Sequence, residues 1–163
     1  MDALFAEAHA LAAALKDRRQ TVAVAESSTG GLVSAALLSV AGASAYYLGG
    51  GVVYTPRARH RLLDLKREDV RGLKSASEPY ASLLAETVRR RFSATWGIAE
   101  TGASGPNGNP YGDAAGHSCL AVAGTGLVTV ARTLETGESD RVANMVAFSA
   151  AALRLLMEQV EGG

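Results

Sequence analysis

The segment Thr21-Val22-Ala23-Val24-Ala25-Glu26-Ser27-Ser28-Thr29-Gly30-Gly31-Leu32 constrains the fold more than any other in the chain. Its first five residues, small or β-branched, are too few for a buried helix and read as a buried strand. A polar, glycine-bearing turn stops that strand, and Leu32, Val33, Ala36, Leu37 and Val40 then recur at helical spacing. Strand, Gly-rich turn and helix open a unit in which helices pack across a sheet.

The remaining pattern repeats the theme. Leu4, Phe5, Ala8, Leu11, Ala12 and Leu15 give residues 2–18 the apolar stripe of an amphipathic helix, closed by Lys16, Arg18 and Arg19 where cations are favoured. Gly50-Gly51-Val52-Val53-Tyr54 reads as a second strand, and Pro56 suits the first turn of a following helix. A long helix is expected from Ser77-Glu78-Pro79, and a third strand at Thr95-Trp96-Gly97-Ile98-Ala99. The stretch 101–112, rich in Gly and Pro, reads as a loop of the length usually reserved for binding. Residues 118–122 and 127–134 flank Gly124-Thr125-Gly126 as a hairpin, and Ser139 and Asp140 precede a last helix opening at Arg141. The expected fold is α/β: a three-layer α/β/α sandwich with a mixed, partly parallel sheet, built as one domain over residues 1–163.

Charge and cysteine content narrow the function. Sixteen Lys and Arg balance 16 Asp and Glu, so the excess of positive charge that nucleic-acid binding normally needs is missing. Seven basic residues against three acids do gather in residues 57–74, and the tribasic Arg89-Arg90-Arg91 reads as a helix end. A single cysteine, Cys119, excludes a disulfide framework within the chain and reads as a small core hydrophobe in a reducing, cytoplasmic compartment. An acid directly after Met1 is unlike a secretory signal, and no run of 18 apolar residues follows, so neither export nor membrane spanning is expected. His9, His60 and His117 lack the partners of a metal site, and none is expected.

In α/β folds ligands gather at the C-terminal ends of the strands. Glycines at 26–31, 49–51 and 101–112 are therefore expected to converge on one pocket. The first of these turns, at a helix N-terminus, can present backbone N–H groups to an anion. It lacks the spacing and lysine of a P-loop, and Gly102, Gly105 and Gly108 do not make a dinucleotide fingerprint. Hydroxyls at Ser27, Ser28 and Thr29, the phenol of Tyr54 and the basic segment from Arg57 put nucleophile candidates beside anion holders. That combination suits acyl-transfer hydrolysis of a phosphorylated small molecule.

Six motifs in order carry a family resemblance over residues 5–160. Ala25-Glu26-Ser27-Ser28-Thr29-Gly30-Gly31-Leu32 resembles the AESCTGGL motif of the CinA C-terminal domain family, with Ser28 in place of Cys. Ala41-Gly42-Ala43-Ser44-Ala45-Tyr46-Tyr47, residues 50–54, Ser77-Glu78, Thr101-Gly102-Ala103-Ser104-Gly105-Pro106 and Asp140-Arg141 continue the match. Family members with this domain, alone or behind a molybdopterin-binding-like domain, include the PncC-type nicotinamide mononucleotide deamidases. They hydrolyse the carboxamide to nicotinate mononucleotide and ammonia in pyridine nucleotide salvage, without a cofactor. The resemblance implies the form without the fused domain, a mononucleotide substrate and a homo-oligomer, for which the apolar stretch 142–156 offers a surface. It makes Ser27 the nucleophile, sets Tyr54 near the reacting groups, and gives Arg141 a substrate role at the phosphate. Thr29, Gly30 and Gly31 would hold the oxyanion, and Thr101, Gly102 and Gly105 would shape the site.

Two departures stand out. The family motif YSNEAK, whose lysine is the general base, reads Tyr54-Thr55-Pro56-Arg57-Ala58-Arg59 here. A guanidinium with a pKa of roughly 13 stays protonated and cannot abstract the serine proton. Arg59 is then an anion holder, and Tyr54, His60 or Lys74 takes the proton, or turnover is lost and a nucleotide-binding module remains, or the chain acts on a different substrate. Asp113 likewise stands where a lysine is usual, a charge reversal beside the expected pocket.

Overall fold

The computed structural model describes all 163 residues. In chain order they form α1 (Asp2–Arg18), β1 (Val22–Glu26), α2 (Leu32–Leu38), β2 (Tyr47–Val52), α3 (Pro56–Leu63), α4 (Glu78–Phe92), β3 (Trp96–Ala103), β4 (His117–Gly124), β5 (Val130–Glu135) and α5 (Arg141–Gly162). The sheet order is β2-β1-β3-β4-β5. β1 lies parallel to both β2 and β3, whereas β4 and β5 continue antiparallel. This is the expected mixed sheet between two helical layers.

Side chains alternate across a strand, and β1 uses the alternation to serve two cores. Val22 and Val24 join Leu11, Leu15, Leu37 and Leu153 beneath α1, α2 and α5. Ala23 and Ala25 face Tyr80, Leu84 and Val88 of α4, with Leu63 of α3 beside them. Each fully buried Leu or Phe contributes about 1.5–3 kcal/mol by leaving water. Helix starts are fixed locally, because Thr55, Ser77 and Asp140 accept from the backbone N–H three residues on at α3, α4 and α5. The inner face of α5 buries Phe148, Leu153 and Leu156. Cys119 is buried, as its core reading requires. No helix is long and apolar enough to cross a membrane.

Two expectations need correction. β2 starts at Tyr47, so Gly49, Gly50 and Gly51 lie inside an edge strand and form no turn. Packing is the reason: a Cβ on Gly50 would sit 2.1 Å from the Val24 carbonyl oxygen, so only glycine lets the two backbones come this close. β3 runs on to Ala103, so Thr101 and Gly102 are strand residues paired with Cys119 and Ser118, and the loop begins at Ser104.

Candidate active site

The C-terminal ends of the three parallel strands meet at one edge of the sheet. Ser27 follows β1, Tyr54 follows β2, and Thr101 and Gly102 close β3. Together with Arg59, Tyr80 and Asn109 they line a depression of about 200 Å³. Two of the three expected glycine segments therefore converge here. The third contributes only through Tyr54 beyond its end.

Beneath Ser27 lies a wholly buried cluster of carboxylates and hydroxyls. Glu26 ends β1 at the N-terminus of α2 and accepts from the backbone N–H groups of Gly31 (2.9 Å), Val33 (3.1 Å) and Ser34 (3.0 Å). A negative charge is favoured at that helix end. Glu100, on β3, accepts from the N–H of Ser27 (3.2 Å) and Thr29 (3.0 Å), and from the hydroxyls of Ser118 (3.0 Å) and Ser28. The Thr29 hydroxyl lies 2.8 Å from Glu26 and 3.1 Å from Glu100, with one proton to give. Burial pushes the Glu100 carboxyl above its ordinary value, opposed by its hydrogen bonds from Ser28, Thr29, Ser27 and Ser118.

This cluster corrects the oxyanion assignment. Thr29, Gly30 and Gly31 have no N–H to spare, because these amides donate to Glu100, to the Ser27 carbonyl (3.1 Å) and to Glu26. Gly30 also faces Met145, away from the depression. Within the turn the Ser28 N–H is the amide that makes no hydrogen bond inside the chain. The hydroxyl of Ser28 is committed to Glu100, whereas Ser27 is anchored by its backbone and its side chain is left to the pocket.

Arg59 is 8% exposed, its Nε has no hydrogen-bond partner, and Nη1 reaches only the Tyr80 hydroxyl, at 3.4 Å. Of the three groups weighed as replacement bases, Lys74 is held by Asp113 at 2.9 Å, and His60 is exposed in a neighbouring cleft. Tyr54, 60% exposed, stays beside Ser27. The charge reversal at Asp113 is thus answered inside the chain. Burial would raise the Asp113 carboxyl, but the Asn109 amide and Lys74, with the charge of His117, hold it below its usual value.

Arg141 sits elsewhere. At the first turn of α5 it donates to the Gly105 carbonyl and lines a second pocket of about 220 Å³, together with Ser28, Ser104, Gly105 and Asn107. Tyr54, Gly102 and Asn109 belong to both pockets, so the two are contiguous. The Ser104 hydroxyl is buried there without a partner, and Asn144 donates to the Ser104 carbonyl at 2.9 Å. A Cβ on Gly102 would lie 2.4 Å from the His117 carbonyl oxygen, which explains glycine at the junction. His117 itself is structural: it bonds Glu135 and the Ala76 carbonyl (2.7 Å). No cluster of three or more His, Cys, Asp or Glu is arranged to hold a metal ion.

Glu100, Tyr80, Asn109 and Tyr111 are the site residues that the sequence did not single out. Only Glu100 carried a signal, as a lone acid inside an otherwise buried strand.

The sequence model of the CinA C-terminal domain matches residues 5–160. A CinA-like protein of Anaeromyxobacter dehalogenans is 42% identical over 139 residues, covering 85% of this chain and 34% of that protein. One of Desulforapulum autotrophicum is 34% identical over 151 residues, covering 91% of this chain and 36% of that protein. The chain thus spans about a third of the length of these relatives. Among solved structures, a CinA superfamily protein from Klebsiella pneumoniae superposes with a TM-score of 0.91 at 25% identity, covering 98% of this chain and 99% of that one. The competence/damage inducible protein CihA from Agrobacterium tumefaciens gives 0.88 at 27% identity, covering 96% and 94%. On sequence and on fold alike, the chain belongs to the CinA C-terminal domain family.

Proposed function

We propose that the chain is a serine amidohydrolase of the nicotinamide mononucleotide deamidase type. The observation that carries this reading is the convergence of Ser27, Tyr54, Arg59, Thr101 and Gly102 on one depression at the ends of the parallel strands. In the proposed reaction Ser27 Oγ attacks the carboxamide carbon, and the developing oxyanion takes the unused Ser28 N–H. The Tyr54 hydroxyl accepts the serine proton while passing its own to solvent, for which its exposure suits it. Collapse of the intermediate breaks the C–N bond as the Tyr54 hydroxyl gives the leaving nitrogen its proton, so ammonia departs; Tyr54 is reprotonated from solvent, and water then hydrolyses the acyl-serine to the carboxylate and restores the Ser27 hydroxyl. Arg59 holds anionic oxygens of the substrate, a role its permanent charge allows and proton abstraction does not. Arg141 fixes the Gly105 carbonyl and faces the pocket where a phosphate can lie.

The test is ammonia release from nicotinamide mononucleotide by the purified protein and by Ser27→Ala. The variant is expected to lose at least about 10³-fold in kcat/KM, with an unchanged melting temperature. Full activity in Ser27→Ala would end this mechanism.

A second reading is a nucleotide-binding module without turnover. It is favoured by the absence of a free amine beside Ser27: Arg59 replaces the family lysine, and Lys74 is tied to Asp113. That reading predicts a melting shift with the mononucleotide, about 2.7 kcal/mol at 100 times the dissociation constant, and no product. Measurable ammonia release dependent on Ser27 would exclude it.

A further inference from the structure

We propose that the arginine cleft beside the serine pocket is a subsite for a pyrophosphate group, so that beside the mononucleotide the chain takes an amide-bearing nucleotide with two linked phosphates. The substrate half of this statement rests on the Ser27 reading; the anion site does not.

Helix α3 carries Arg57, Arg59 and Arg61 in quick succession, and with Arg67, His60 and Tyr111 they line a cleft of about 800 Å³. That volume lies in the range of small-molecule sites, roughly 300–1,000 Å³. No Asp or Glu lines the cleft, and none of these four arginines takes part in an ion pair; the chain's ion pairs use Lys74, His117, Arg132 and Arg154. Four guanidiniums around one depression therefore define a field built for an anion from outside.

Arg59 supplies the independent observation. It is more than nine-tenths buried, its Nε donates to nothing, and it lines both the cleft and the serine pocket. A buried charged donor without an acceptor is costly, and folds retain one where a ligand completes it. Pro56, Ser75 and Tyr111 are also common to both cavities, so a ligand with its amide at Ser27 runs past Arg59 into the cleft without leaving the surface.

The number of cations selects the ligand class. A single phosphate carries about −1.5 to −2 charges and three free oxygens, which two forked guanidiniums saturate. A linked pair offers roughly twice as much and matches four arginines. No bond is made or broken in the subsite. A nucleic-acid backbone is the less suited partner, because the chain carries no net positive charge, which such binding normally needs.

The test is calorimetric titration of the full chain with inorganic pyrophosphate and with inorganic phosphate, repeated on Arg61→Gln/Arg67→Gln. Pyrophosphate is expected to bind at least about 10-fold more tightly than phosphate, and the double variant to lose most of that preference. Both side chains are exposed, and an unchanged melting temperature without ligand verifies the fold. Equal affinity for the two anions, or undiminished pyrophosphate binding by the variant, would overturn the subsite. Displacement of pyrophosphate by a mixed-sequence single-stranded oligonucleotide, with a steep salt dependence, would reassign the cleft to nucleic acid. The two proposals fail separately. Ammonia release without discrimination between anions sinks the subsite alone, and pyrophosphate binding without ammonia release sinks the deamidase alone.

Discussion

Ser27 stands between two polar regions built on opposite principles. Below it, Glu26 and Glu100 are fully buried, Glu26 surrounded by donors from the serine turn and α2, Glu100 by donors from the serine turn and β4. Beside it, Arg59 is nearly as buried yet keeps an unused donor, and Arg57, Arg61 and Arg67 stand open to water. The carboxylate cluster is complete without any other molecule, so it can hold the nucleophile's backbone still. The arginine side is incomplete until an anion arrives. Polar groups satisfied within the chain stabilise the fold, whereas those left unsatisfied cost stability and are retained for recognition.

The contrast breaks most visibly at Glu100. Glu100→Ala leaves the Ser27 and Thr29 amides and two hydroxyls without their acceptor, so unfolding in urea should show a loss of at least about 3 kcal/mol. A loss below 1 kcal/mol would mean that water replaces the carboxylate and that the turn is not held as described. Glu100→Gln sharpens the same point. The amide oxygen can still accept from the two backbone groups, while its NH₂ donates to the Ser28 and Ser118 hydroxyls.

Because burial raises the folded pKa of Glu100, protonation favours the fold below the ordinary carboxylate value of 4.5, and that contribution is lost as pH rises through the raised value. Glu100→Gln carries no such loss. It should match the wild type in acid and exceed it in melting temperature at neutral pH; parallel pH profiles would contradict this.

On the arginine side the expected sign is reversed. Arg59→Met replaces a buried, half-unpaired cation by an apolar chain of similar length and should stabilise the protein by about 1 kcal/mol, while abolishing anion binding. A destabilised variant would show that the guanidinium is already satisfied in the free protein. The smallest effect is expected at His117. Burial lowers its pKa, but the Glu135 hydrogen bond, the Ala76 carbonyl and the charges of Glu135 and Asp113 raise it above 6.5 overall. Its contribution is then complete below 6.5 and fades as pH rises through the folded value. With Glu135 well exposed, solvent limits that contribution to under about 1 kcal/mol. His117→Gln should flatten the stability profile through the neutral range, and an unaltered slope would refute the assignment.

Much of this architecture was legible because local signals and packing agree. Pro56, Ser77 and Asp140 mark their helix starts by chemistry confined to a few residues. β2 was misplaced because its glycines answer to a neighbouring strand: Gly50 is demanded by the Val24 carbonyl, which no local window contains. Tyr54, Ser27, Thr101 and Gly102 could be gathered by the rule that strand ends make sites, whereas the state of the turn amides could not. Thr29 and Gly31 look like free donors until Glu26 and Glu100 are seen to occupy them, and Glu100 lies 71 residues from Thr29. The Lys74–Asp113 pair is hidden in the same way by a sequence separation of 39.

The position of Glu100 has a consequence for assembly. It follows Ala99 on β3, and Ala99 is in register with Ala25 on β1. A slip of one residue between these strands would shift the carboxylate by about 3.3 Å and send it to the opposite face of the sheet. Misaligned, the Ser27 and Thr29 amides and the Ser28 hydroxyl of the serine turn would lose their acceptor, as would the Ser118 hydroxyl on β4, and Glu100 would be an acid inserted among alanines and leucines. The carboxylate therefore acts as an alignment gauge for two strands more than 70 residues apart: only the sheet that has paired correctly can close the turn that carries Ser27.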